Sequence, residues 1–431
     1  MKILHVTHNY HPVIGGAELQ IKNISEGLVK RGHQVTVLTS NAPSTEAYVD
    51  SGIKPLPPGE EAINGVVVRR LPIRQLPVPI RALFGGLMIT FWRGSLPFND
   101  LIRILWNGPY IKGLHRQIMA SEADLVTAIP FPFLHIYRAS SAARRKGIPL
   151  VVIPCSHPLD AFAFENPRHY RLLRQSQAVL ANTRYERDYL ISMGVPEERI
   201  HVVGDGVNPR DFEGVRRGEF RSKHSIPKSE KVILFVGRKA EGKGLRPLLA
   251  AMREVWRSNG GVKLVIAGSA TEFSRRVIEP EIERLPDPLR RNVININDFE
   301  AEEKASIYTD CDIFVLPSKI ESFGIVFLEA WICGKPVIGC RTGPVASVIS
   351  EGRDGLLVPY GDARELSQVI LRLLADEDLR RKLGDNGRKK VLKRYTWDQI
   401  VSKIESIYQA LVQEQGMYGP TSGQRDHCRP Q

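Results

Sequence analysis

Two doubly wound α/β domains in tandem, facing each other across an interdomain cleft, are the fold this sequence predicts, on three observations. Short β-branched apolar runs alternate with longer amphipathic stretches along nearly the whole chain, the pattern of parallel β-α-β units. A looser stretch rich in Gly, Pro and charge, residues 204–231, divides that alternation and reads as an interdomain linker. The apolar runs of the second half end in Gly, Pro or Ser, as strands do when their exit loops hold a ligand at the carboxyl edge of a sheet.

In chain order, residues 3–6 read as a buried strand, 17–31 as a helix and 35–38 as the next strand. Leu19, Ile24 and Leu28 recur at helical spacing and Gly32 ends the helix. The unit recurs with strands at 150–153 and 178–181, a helix at 184–193 and a strand at 200–203. Beyond the linker, strands are expected at 232–237, 263–268, 292–297, 312–318, 336–340 and 355–359. A last helix, 397–414, carries Ile400, Ile404, Ile407 and Leu411 on one face and is expected to pack back on the first domain. The domains are therefore expected at 1–205 and 206–396, with 415–431 as a tail too poor in apolar residues to pack.

With 431 residues, 42% hydrophobic and 25% charged, the chain has globular composition, which excludes a disordered or fibrous protein. Its net charge of +13 points to an anionic partner without choosing among nucleic acid, a phosphorylated metabolite and an acidic membrane face. Five widely spaced cysteines, an odd number without C-x-x-C pairs, imply a reducing compartment with neither a disulfide frame nor a zinc site. No signal peptide and no run of 18 apolar residues is present, so a cytoplasmic protein is expected, lying at most on the inner face of a membrane.

Three loops carry chemistry. The strand at 232–236 exits into GRKAEGKG, which places Arg238 and Lys243 among glycines that let backbone approach a ligand. Two cations there suit a diphosphate; a flexible basic surface turn has the same composition. It is not a Walker loop, because Gly244 stands where Ser or Thr would follow the lysine. Near the N-terminus, Gly15 and Gly16 precede a helix, which marks either an anion-binding helix start or a plain tight turn. The stretch PSKIESFGIVFLEAWICGKPVIG runs from strand into helix near Phe323 or Gly324, so the free N–H groups of residues 323–326 point into the cleft. Glu321 and Glu329 are eight residues apart, roughly 12 Å along a helix. That exceeds the roughly 5–9.5 Å of a glycoside hydrolase acid/base pair, so two separate hydrogen-bonding tasks on one ligand fit better.

At these residues the sequence resembles the retaining nucleotide-sugar glycosyltransferases of family 4, which have the GT-B fold of two facing Rossmann-like domains. The resemblance covers nearly the whole chain: GGAE at 15–18, ANTRYERDYLISMGVPEERIHVVGDGVN at 181–208, GRKAEGKG at 237–244, the Glu321/Glu329 pair, and the ending RDGLLVPYGDARELSQVILRLLAD with RYTWDQI. It implies a hexosyltransferase acting with retention, requiring no bound metal and needing no cofactor, on a nucleotide-diphosphate sugar. The implied donor is a UDP-sugar first and GDP-mannose second.

Carried over residue by residue, the resemblance implies that Arg238 and Lys243 neutralise the leaving diphosphate, a task whose value lies in the transition state. Glu329 resembles the acceptor of the ribose hydroxyls. Glu321 resembles the carboxylate on the transferred sugar, supported by the N–H groups of Phe323, Gly324 and Ile325. Gly16 belongs to the loop that closes on the diphosphate, and His157 matches a histidine that reaches the sugar near the reacting carbon. Base selectivity in this fold depends largely on backbone groups near residues 297–299. Three departures stand out: Ser322 replaces a common glycine, and Asp205 replaces a common asparagine with an effect expected only at the hinge. Thr127, Ile129 and Pro130 stand where many relatives carry histidines, so acceptor contacts are not carried over.

Residues 66–116 hold eight basic side chains (Arg69, Arg70, Arg74, Arg81, Arg93, Arg103, Lys112, Arg116) against Asp100, a local charge of +7. The segment includes the apolar run LFGGLMITFW at 83–92, too short to span a bilayer and suited to an interfacial segment against anionic lipid. An insertion packed on the first domain with its charges exposed is the other reading. Membrane contact would make the acceptor a lipid-linked or envelope glycan precursor. Nucleic acid is disfavoured, because no binding motif accompanies the charge. An epimerase of the same fold and a non-catalytic sugar-nucleotide binder are the remaining alternatives.

Overall fold

The computed structural model describes residues 1–13, 15–75, 80, 99–156, 164–297, 299 and 301–418. Two large sheets carry the fold. The first has eight strands in the order β10, β9, β8, β7, β1, β2, β4, β3. In chain order these are β1 (Lys2–Thr7), β2 (Gln34–Ser40), β3 (Gly59–Ile63), β4 (Val66–Leu71), β7 (Leu125–Ile129), β8 (Leu150–Val152), β9 (Ala178–Ala181) and β10 (Ile200–Val202). Between β4 and β7, β5 (Ile73–Arg74) and β6 (Tyr110–Ile111) form a separate two-stranded sheet. The second large sheet is parallel throughout, in the order β13, β12, β11, β14, β15, β16. Its strands are β11 (Lys231–Val236), β12 (Val262–Ala267), β13 (Val293–Ile296), β14 (Ile313–Leu316), β15 (Val337–Cys340) and β16 (Gly355–Val358). The chain divides into two compact units, one of Met1–Pro154, Pro167–Val179 and Val401–Gln431, the other of Cys155–Asn166 and Leu180–Ile400.

In the first unit, β1 pairs in parallel with β2 and β7, with Ile3 opposite both Val35 and Leu125. Its residues from Ile3 to Thr7 are buried, as both faces of a parallel sheet must be. The edge strand β3 is antiparallel to β4, and the sequence reading gave neither strand. The sequence GEEAI is exposed and charged, and Glu60 and Glu61 pair with Arg69 and Arg70 across the hairpin, so the edge is closed by ion pairs. The basic stretch thus begins as part of the sheet. Its apolar run at 83–92 lies outside the described residues.

The last helix, Trp397–Tyr418, extends a few residues beyond its expected end, and its part from Val401 completes the core of the first unit. A Cβ on Gly27 would come within 2.6 Å of Val401, Tyr408 shares a 2.6 Å hydrogen bond with Thr127, and Glu405 accepts from His33 at 2.7 Å and Arg31 at 3.1 Å. The tail from residue 419 lies outside the described residues.

Two histidines are buried neutral in this core. His5 donates from Nδ1 to Ser25 at 2.7 Å, since the Ser25 hydroxyl is committed to the Ile21 carbonyl. His135 donates from Nε2 to the Ile129 carbonyl at 2.6 Å. Burial lowers both from 6.5 to about 3, and for His135 the nearby His8 adds to the effect. Between those two values the unfolded chain binds protons that the folded chain does not, so stability rises with pH across that window. Each group accounts for a loss on the order of 4 kcal/mol when pH falls from 6.5 to 3. His135→Asn is therefore expected to flatten the fall of melting temperature with acid, and an unchanged slope would contradict this assignment.

In the second unit, the stretch 204–231 is packed rather than loose. Val207, Phe220 and Ile226 join the core, and Asp310 accepts from the backbone N–H groups of Gly218 at 2.7 Å and Arg221 at 3.2 Å. The irregular spacing of those three apolar residues concealed the packing from a periodicity reading. Helix Ile325–Ile332 is held by Trp331, fully buried, whose indole donates to the Asp354 carbonyl at 2.7 Å. Helix Glu377–Arg394 packs on it through Gly387, where a Cβ would fall 1.9 Å from the Trp331 ring.

Candidate active site

Arg238 and Lys243 lie where β11 exits. Arg238 is exposed, and Lys243 ends a short 3₁₀ turn, Glu241–Lys243. Gly244 follows in the left-handed region with φ 78°, and a Cβ there would lie 2.0 Å from the Pro317 carbonyl oxygen. Only glycine permits that approach. The approach sets this loop against the exit of β14, where Lys319 N–H donates to the Gly242 carbonyl at 2.9 Å and the Ser318 hydroxyl donates there at 3.2 Å. The consequence is direct: Lys243 Nζ lies 2.6 Å from Glu321 Oε1 and donates also to the Ile320 carbonyl at 3.3 Å. Two residues selected from separate motifs therefore form one ion pair, with side chains 24% and 12% exposed.

Phe323 is buried and meets Tyr395 edge to face at 5.5 Å, which anchors the loop that follows Glu321. Gly324, at φ 89°, turns the chain into helix Ile325–Ile332, one or two residues later than the sequence suggests. The start of this helix has no side-chain cap, and in its first turn Phe327 N–H donates to the Gly324 carbonyl at 2.9 Å. Glu329 sits one turn further along, buried, accepting from the Tyr308 hydroxyl at 2.7 Å and pairing with Lys304. Burial and the Glu329 carboxylate keep the Tyr308 phenol protonated, so it remains the donor.

Asp205 is buried in the same unit, accepts from Gly206 N–H at 2.9 Å, and is raised to about 7 by burial, opposed by that hydrogen bond and reinforced by the charge of Glu329. Tyr308 and Lys304 are absent from the sequence reading of the site, because neither belongs to a motif, and Asp205 enters that reading only as a departure at the hinge.

In the first unit, Gly16 opens helix Gly16–Lys30 and is exposed, with open space where a Cβ would stand. A Cβ on Gly15 would lie 2.3 Å from Glu18 Oε2, because that carboxylate folds back over the helix start. Its other oxygen lies 3.1 Å from His8 Nε2, and the His8 ring is stacked on Phe133 at 4.3 Å. The glycine pair and the glutamate of GGAE are thus one structural device. Beside this loop, His11, Pro12, Pro58, Glu60, Glu61 and Arg70 line an open groove of about 650 Å³ with charges of both signs. Thr127 is committed to Tyr408 within the core.

His157 lies outside the described residues. The residue before it, Ser156, is fixed by its N–H donating to Glu186 at 2.7 Å, and Glu186 also accepts from Asn182 N–H at 2.7 Å. Burial raises this carboxyl to about 7.

Two family models match the chain in succession, Glycosyltransferase Family 4 over residues 14–211 and Glycosyl transferases group 1 over residues 216–390. An uncharacterized glycosyltransferase of Methanocaldococcus jannaschii is 26% identical over 96% of this chain and 100% of its own length. A D-inositol 3-phosphate glycosyltransferase of Segniliparus rotundus is 27% identical over 92% of this chain and 84% of its own. Among solved structures, HepE of Anabaena in complex with UDP and glucose superposes with a TM-score of 0.71 at 18% identity, over 95% of this chain and 100% of that one. Among the described residues, no helix is long and apolar enough to cross a membrane.

Proposed function

From the premise that the chain belongs to the group 1 glycosyltransferases of the family 4 type, with a GT-B fold, we propose that its second unit binds a nucleotide-diphosphate sugar and transfers the sugar with retention. The observation that carries this reading is the Lys243–Glu321 pair, set between Gly244 and Pro317 beside the uncapped start of helix Ile325–Ile332. Arg238 and Lys243 supply positive charge to the departing diphosphate, and Glu321 accepts hydrogen bonds from hydroxyls of the sugar. Glu329 accepts from the ribose, with Tyr308 and Lys304 holding its carboxylate in place. His157 and Gly16 are assigned to the transferred sugar and to the diphosphate by the resemblance alone.

Cationic side chains do the work a metal would otherwise do, so no metal is required. Retention follows from attack on the face the phosphate leaves, since no residue here is an obvious covalent nucleophile. UDP-sugars are the first choice of donor, in keeping with the UDP bound by the Anabaena relative, and GDP-mannose is the second. The acceptor is a glycan or lipid-linked precursor, met by a cytoplasmic enzyme; of its basic segment 66–116, Arg69 and Arg70 are paired with Glu60 and Glu61 in the sheet, and the cations that follow β4 meet anionic lipid at the inner face of the membrane.

The test is release of nucleoside diphosphate from a panel of UDP- and GDP-sugars offered with polyprenyl-phosphate and glycan acceptors. Release of UDP from one UDP-sugar, undiminished by EDTA and abolished in Glu321→Ala, is the expected result. A folded Glu321→Ala protein with full turnover would contradict the assignment.

A further inference from the structure

Lys239 stands next to Arg238 in the sequence and has the opposite fate. Arg238 is exposed, whereas Lys239 is wholly buried. Its ammonium donates to Asn295 Oδ1 at 2.6 Å, to the Ile296 carbonyl at 2.9 Å and to Asn297 Oδ1 at 2.5 Å. An ammonium has three donors and no acceptor, and here three acceptors converge on it. The backbone of the same residue bonds in another direction: its N–H donates to the Ser269 carbonyl at 3.0 Å, and its carbonyl accepts from the Thr271 hydroxyl at 2.7 Å.

One residue thus ties the exits of β11, β12 and β13 together. The exits are close enough to need a glycine at 268: a Cβ there, at φ 132°, would fall 2.3 Å from the Gly237 carbonyl oxygen. The Ile296 carbonyl is shared, accepting from Gly268 N–H at 3.1 Å as well as from the lysine. Burying an ammonium has a desolvation cost that a packed apolar side chain avoids, so stability alone gives no reason for a lysine here. What the charge adds is direction, because three charge-assisted bonds fix where Asn295, Ile296 and Asn297 point.

We infer that Lys239 is a positioning residue for base selectivity, locking the β13 exit that begins at Asn297 to the β11 exit that carries Arg238 and Lys243. The inference rests on the donor reading of this unit. With the diphosphate held at the β11 exit, the backbone at Asn297 can discriminate between bases only if its distance from that loop is fixed. Phe299 packs against the core of the same unit.

Calorimetric titration of the full chain with UDP, GDP, ADP and inorganic pyrophosphate tests this in the wild type and in Lys239→Met. The expected result is a rise of about tenfold or more in Kd for the preferred nucleotide and a collapse of the ratios between bases, with pyrophosphate binding unchanged. Equal base ratios in the two proteins would overturn the inference and leave the donor reading intact. A wild type that binds none of the nucleotides would overturn the donor reading itself. If Lys239→Met does not fold, Asn297→Ala, which removes one of the three acceptors, decides the matter: narrowed base ratios support the inference and unchanged ratios overturn it.

Discussion

Lys243→Ala is expected to leave a folded protein whose kcat for sugar transfer is about a hundredfold lower. The loss falls on kcat because the diphosphate gains charge as the glycosidic bond breaks, so the ammonium is worth more in the transition state than in the bound donor. The fold tolerates the change because the side chain lies on a loop whose backbone is held independently by Gly244, Lys319 and Ser318. Losing Lys243 frees Glu321 from its 2.6 Å partner, a destabilisation of about 1 kcal/mol at a group that retains some solvent. Steady-state kinetics with a melting curve separates the two effects. A folded variant with undiminished kcat would remove Lys243 from the reaction.

Glu329→Ala is expected to act mainly on donor affinity, raising the Kd for the preferred nucleoside diphosphate by about tenfold or more. The ribose loses its acceptor, and the donors arranged around the carboxylate lose theirs. Tyr308, fully buried, is left with an unpaired hydroxyl, so a stability loss of about 1–3 kcal/mol accompanies the change. Removing Glu329 also removes a charge that raises Asp205, so the ionisation of Asp205 moves down in the variant. Titration calorimetry gives the affinity, and chemical shift titration of Asp205 gives the second effect. An unchanged Kd would show that the ribose lies elsewhere.

The second sheet was largely legible in the sequence because its strands are buried on both faces and read as continuous apolar runs, from VILFV at β11 to GLLV at β16. The β3–β4 hairpin was not, since GEEAI carries exposed carboxylates whose partners, Arg69 and Arg70, belong to the next strand and were read as part of a basic segment. The candidate site was legible residue by residue and illegible as an arrangement. Lys243 and Glu321 stood in separate motifs 78 residues apart, and only the close approach of Gly244 to Pro317 brings them together. Lys239 was not singled out in the sequence, because its acceptors lie 56 to 58 residues further along. Asp205 looked like a hinge substitution because its neighbour Glu329 is close only in the folded unit. Sequence patterns record burial and turns well; they record the meeting of charges from distant loops poorly, because no local period accompanies it.

The most direct test of the central claim, that the second unit is a nucleotide-diphosphate sugar site, is thermal stabilisation of the purified full chain by UDP, GDP, ADP and CDP. A ligand that binds only the folded state raises the melting temperature in proportion to its occupancy. One diphosphate, UDP first, is predicted to raise it in the wild type and to do so less in Arg238→Ala. A folded wild type whose melting temperature none of the four diphosphates moves would contradict the account.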